Sequence, residues 1–153
     1  MTIPTREIKE TIHKHSVFFD PETLPWTEWV MPGTYFKLLN VNEASGGFTM
    51  ILKVDADNEA PIHHHIGAVE VYIIDGEFGY GKDGGGKGHY SYEPGGSMHT
   101  PTSPDGTIMF AIAYGPIVGY NEDGSLALVV DKDLMYQMAS ENNAAGHITI
   151  SEI

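Results

Sequence analysis

His63-His64-His65-Ile66-Gly67-Ala68-Val69-Glu70-Val71-Tyr72-Ile73-Ile74-Asp75-Gly76 decides how this chain is read. On a β-strand, side chains at i and i+2 share a face, so His63 and His65 aim two imidazoles at one point while His64 turns away. Further along, Pro94-Gly95-Gly96-Ser97-Met98-His99 spells a tight turn that delivers a third histidine, His99, at a strand start. Histidine pairs two residues apart arise by chance on surfaces. A third histidine, brought by a turn on a glycine-punctuated β-domain, makes the set a candidate metal site.

Glu70 stands five residues after His65, an odd separation that puts it on the opposite face of an unbroken strand. Two orientations are open to it. A bulge at Gly67 would swing it toward the metal as a ligand or hydrogen-bond acceptor, and without a bulge it faces solvent. Tyr72 and Ile74 share its face, so Tyr72 either lines the pocket or fills the core.

Outward from this stretch, short β-branched and aromatic runs alternate with turn signals, the pattern of an all-β sandwich or barrel rather than of βαβ units. Strands are expected near 34–41, 47–55, 69–74, 77–81, 89–92, 107–114 and 126–130. Asp75-Gly76 reads as the clearest hairpin turn, and Asp83-Gly84-Gly85-Gly86 as a flexible hairpin tip. Only 132–141 carries a helical pattern, through Leu134, Met135 and Met138. Residues 1–23 are polar and irregular and read as an arm laid on a single domain over 24–153.

The chain has 153 residues, enough for one domain with a hydrophobic core. Eight Lys plus Arg against 21 Asp plus Glu give a net charge of −13, which repels phosphate backbones and anionic lipid, so neither nucleic acid nor membrane is an expected partner. With no cysteine, disulfides, thiolate ligands and a cysteine nucleophile are excluded, leaving imidazole and carboxylate as ligands. The first residues lack a secretory apolar stretch, and a cytoplasmic location is expected.

Other motifs carry less. Gly81 to Gly88 approaches a phosphate-binding loop but lacks the Ser or Thr after its lysine and the helix that would follow. His13 and His15 repeat the pair spacing with no partner to complete a site. No Gly-x-Ser-x-Gly elbow supports a serine hydrolase.

These residues closely resemble the two cupin motifs. His63, His65 and Glu70 match the first, with Gly76 one residue early and Asp57 at its opening glycine; Gly88, Pro94, Gly96 and His99 match the second, with Ser103 in place of its closing asparagine. The resemblance implies a jelly-roll barrel of two packed antiparallel sheets with a metal inside. Within cupins, residues 24–138 look like the family of the acetylacetone-cleaving dioxygenase and 2,4'-dihydroxyacetophenone dioxygenase. Carried over to His63, His65 and His99, that likeness implies a three-histidine Fe(II) site, with Zn, Ni or Mn as other occupants of purified protein.

It implies a dioxygenase that splits a carbon–carbon bond in a β-diketone or α-hydroxy ketone, with the ketone and O2 as partners, Glu70 as a base and Tyr72 in the pocket lining. Where the relatives' following hairpin could offer a further carboxylate, this chain has Lys82 and Asp83. A second likeness, from His63 to Ser103, is to the cupin domain of zinc-binding anti-sigma factors, and implies a zinc-binding sensor or regulatory module instead. A metal-dependent isomerase or epimerase is a third possibility that the fold alone does not remove. Cupins commonly pair through sheet edges and arms, which implies a homodimer or homotetramer.

Overall fold

Alternation fixes which side of each strand faces inward. In Thr107–Ala113 every second residue is buried, so Met109, Ala111 and Ala113 enter the core while Ile108, Phe110 and Ile112 point outward. The computed structural model describes residues 18–150. The segment 1–17 of the expected arm, with His13 and His15, lies outside the described residues.

The strands are β1 (Thr27–Glu28), β2 (Thr34–Val41), β3 (Phe48–Val54), β4 (Asn58–Glu59), β5 (His63–His65), β6 (Val69–Tyr80), β7 (Asp83–Gly86), β8 (Tyr90–Glu93), β9 (Met98–His99), β10 (Thr102–Ser103), β11 (Thr107–Ala113), β12 (Ile117–Tyr120) and β13 (Leu126–Val130). One sheet runs β1-β2-β3-β11-β6-β10-β4, with β8 and β7 also paired to β6. The second runs β13-β12-β5-β9. All pairs are antiparallel. This is the expected all-β jelly roll of two packed sheets. Phe36, Leu38, Met50, Val71, Ile73 and Met109 from the first sheet meet Ile117 and Val130 from the second.

Two expectations are corrected here. Asp75-Gly76 is not a hairpin turn: Val69–Tyr80 is one strand, and the register against β11 slips there, leaving Ile74 without an opposite residue. An Asp-Gly pair suits a bulge as well as a turn, because both need a positive φ, and Gly76 has φ 76°. A Cβ at Gly76 would also stand 2.1 Å from the Gly106 carbonyl oxygen. The hairpin lies further on, at Tyr80 and Asp83, and the glycine run forms β7 paired to β6 rather than a free tip.

The expected C-terminal helix is α1 (Lys132–Glu141). Asp131 caps it, its carboxylate accepting from the Asp133 and Leu134 backbone amides at 3.0 Å. Met135 and Ala139 are its buried face, and the Trp29 indole donates to Met135 Sδ at 3.1 Å. Among the described residues no helix is long and apolar enough to cross a membrane.

Candidate metal centre

The chain breaks at Ile66 and Gly67, where β5 of one sheet gives way to β6 of the other. Gly67 therefore serves a sheet-to-sheet crossing rather than a bulge, packing against Gly115 so closely that a Cβ would stand 2.7 Å from its nitrogen. The crossing resets the face count. Val69, Val71 and Ile73 are buried, and Glu70, Tyr72 and Ile74 emerge on the outside.

Glu70 and Tyr72 are thus not at the site. The Glu70 carboxylate accepts hydrogen bonds from the Tyr90 hydroxyl at 2.5 Å and from the Tyr114 hydroxyl. These bonds hold its pKa below the usual range and push that of Tyr90 up to about 12. Tyr72 is half exposed, at 50%.

The three histidines do converge. His63 and His99 are directly opposite one another across β5 and β9. One ring nitrogen from each of His63, His65 and His99 falls within 4.8 Å of the others. The turn 94–97 is tied to β5 by its backbone: Gly96 N donates to the His65 carbonyl at 2.7 Å, and His65 N donates to the Ser97 carbonyl at 2.9 Å. That exchange explains why a Pro-x-Gly-x-x-His segment positions His99 beside the pair.

Protonation follows from the surroundings. His63 Nδ1 lies 3.0 Å from the Pro61 carbonyl, which only accepts, so Nδ1 carries the proton and Nε2 presents a lone pair. The two Nε2 atoms of His63 and His99 stand 3.1 Å apart. Burial first, then the neighbouring histidines, lowers His65 to about 3; burial and His63 lower His99 to about 4. Burial likewise lowers His63, against the opposing pull of Pro61. All three imidazoles are neutral near pH 7, as metal ligands must be.

A carboxylate that the sequence reading did not single out completes the set. Glu93 Oε2 lies 3.4 Å from His65 Nε2 and 3.5 Å from His99 Nε2. Burial raises its pKa to about 7, so these contacts join neutral imidazoles to a carboxyl poised between its two forms and are not simple ion pairs. Both ring nitrogens of His65, Glu93 Oε2 and the Tyr80 hydroxyl are buried with no hydrogen-bond partner among the described residues. Unpaired buried polar atoms are costly, and a cation among the histidine nitrogens and Glu93 would satisfy two of these four, one ring nitrogen of His65 and Glu93 Oε2. The donors present therefore fit a divalent ion.

The site opens on a cavity of about 240 Å³, small beside the roughly 300–1,000 Å³ usual for ligand pockets. Met50, Val71, Phe78, Met109, Ala111 and Ile117 are among the apolar residues that line it. Tyr72, expected in the pocket lining, is not part of it.

A two-sheet jelly roll carrying His-x-His on one strand and a third histidine across from it defines a cupin. The chain belongs to the family described as the ChrR cupin-like domain, which matches residues 14–118. Among solved structures, an RmlC-like cupin protein of Ralstonia eutropha aligns at 23% identity and a TM-score of 0.76, over 90% of this chain and 92% of that one. An acetylacetone dioxygenase from Acinetobacter johnsonii aligns at 15% identity and a TM-score of 0.74, over 92% of this chain and 99% of that one. A chain from the complex of Rhodobacter sphaeroides SigE with the anti-sigma ChrR aligns at 20% identity and a TM-score of 0.51, over 60% and 50%. At these identities the likeness is one of fold. No curated protein matches the chain.

Proposed function

We propose that this protein is a metal-dependent dioxygenase that cleaves a carbon–carbon bond of a β-diketone or α-hydroxy ketone with O2. The observation that carries the proposal is the convergence of three neutral imidazoles and one buried carboxyl on a small apolar cavity. His63, His65 and His99 would hold Fe(II), with zinc, nickel or manganese as competitors for the same donors. A bound Fe(II) would supply Lewis acidity toward a chelating ketone and redox chemistry toward O2.

The chain's own contribution is threefold. Neutral ligands leave the ion's charge undiminished for the substrate. Glu93, with its pKa near 7, would act in place of Glu70 as the base that takes the acidic proton α to the ketone carbonyl. The apolar wall excludes water, strengthening each electrostatic contact inside. A ketone, O2 and a second copy of the chain in a homodimer or homotetramer are the partners of this reading.

Oxygen uptake by protein reconstituted anaerobically with Fe(II), given acetylacetone and 2,4'-dihydroxyacetophenone, tests it. Substrate-dependent uptake abolished in His99→Ala is the expected result. No uptake with iron bound would favour a second reading, a zinc-binding sensor module, whose support is the family match to the ChrR cupin-like domain.

A further inference from the structure

Tyr80 ends β6 on the cavity wall, and its hydroxyl is buried with no partner among the described residues. The ring is held from two sides. It stacks on the His99 imidazole with centroids 4.2 Å apart and planes 25° apart, and Phe78 meets it edge-on at 5.3 Å and 77°. Its backbone is paired with Asp83 in the β6–β7 hairpin.

A phenylalanine would keep both ring contacts and remove a buried donor that bonds nothing, so packing alone does not account for the hydroxyl. The wall is mainly apolar, and although Thr34, Asn58, Ser103 and Tyr120 also line it beside the histidines and Glu93, none of them bonds the Tyr80 hydroxyl. A ligand entering the cavity is therefore the partner the geometry leaves for this O–H.

We propose that the Tyr80 hydroxyl reads the ligand, donating a hydrogen bond to a carbonyl or enolate oxygen of the molecule in the cavity. The inference rests on the diketone or hydroxyketone reading above and adds its specificity: a ligand of the same shape without an acceptor oxygen at that point leaves the hydroxyl unpaired. Sites built to bond a polar group reject analogues lacking it far more strongly than apolar pockets reject a size change.

The test uses protein loaded with Zn(II), which binds ligands without oxidising them, in the wild-type and Tyr80→Phe forms. Three quantities are measured: melting temperature without ligand, zinc affinity, and the Kd for acetylacetone and 2,4'-dihydroxyacetophenone by calorimetry. The variant is expected to melt at the same or a higher temperature, to bind zinc equally, and to bind the ketone about tenfold more weakly, the size of one hydrogen bond at a buried group. A lower melting temperature in the variant would show a structural hydroxyl and overturn the proposal. Equal ketone affinity in the two forms would overturn it while leaving the ketone reading intact. If the wild type binds neither ketone, the functional reading falls and the proposal with it.

Discussion

Glu93 Oε2 stands 3.4 Å from His65 Nε2, and neither atom has a hydrogen-bond partner among the described residues. Two unpaired acceptors or donors this close, both buried, describe a site arranged for a third body. Glu93→Gln keeps the shape and removes the charge. It is expected to weaken divalent-metal affinity by about 10–100-fold if Glu93 supports the ion from outside the histidines, and to lower turnover by roughly 10²–10⁴-fold if it is the base. Metal titration followed by oxygen-uptake kinetics measures both, and unchanged values in both would remove Glu93 from the site.

Metal removal should be legible in stability. At a free concentration near 100 Kd, a bound ion stabilises the fold by about 2.7 kcal/mol. Scanning calorimetry with and without chelator should therefore show a lower melting temperature for the stripped wild type and no chelator effect on His99→Ala. An equal chelator effect in the variant would place the ion elsewhere.

The outer-face cluster gives a pH dependence with a definite sign. The Glu70 pKa is lowered in the folded state, so its stabilisation is present above about 4.5 and lost as pH falls through the lowered value. The Tyr90 pKa is raised to about 12, so its share is present below 10 and lost as pH rises through 12. The melting-temperature gap between wild type and Glu70→Gln is expected to be level between those limits and to shrink on both sides. Ultraviolet titration should lower two tyrosines in the variant, Tyr90 from about 12 toward 10 and Tyr114 from its raised value; an unmoved titration curve would contradict the assigned hydrogen bonds.

Gly76→Ala places a side chain at φ 76° and 2.1 Å from the Gly106 carbonyl oxygen. Strain of this kind costs on the order of 1–3 kcal/mol, and denaturant unfolding should report at least that. Asp131→Ala, which removes the cap of α1, is expected to cost about 1 kcal/mol by the same measurement.

Local patterns that do not depend on distant packing were readable from the sequence. The 34–41 strand, the 126–130 strand and the 132–141 helix agree with β2, β13 and α1 at both ends, because apolar and β-branched runs bounded by turn residues, and the helical spacing of α1, are signals within each element. Very short strands such as β9 and β10 carry too few residues for a period and exist only through their partners. The three histidines were visible as a spacing and a turn. The sequence leaves the orientation of Glu70 open because the face of a strand can be counted only until the chain changes sheet, and the change at Gly67 rests on contact with distant Gly115. The local pattern conceals Glu93 as well. In Tyr90-Ser91-Tyr92-Glu93 the aromatic residues point outward and the carboxylate inward, the reverse of the usual hydrophobic ordering.

β5 and β9 are three and two residues long, and they share two register pairs. Such a seam is held by little of its own hydrogen bonding, yet it carries every histidine of the site. An ion bridging His63 and His65 to His99 would hold together two strands far apart along the chain, its binding energy counting directly as folding energy because the unfolded chain offers no such site. In a protein without cysteine, the ion would then be the clasp that fastens the edge strand β9 to its own sheet as well as the reagent the barrel encloses.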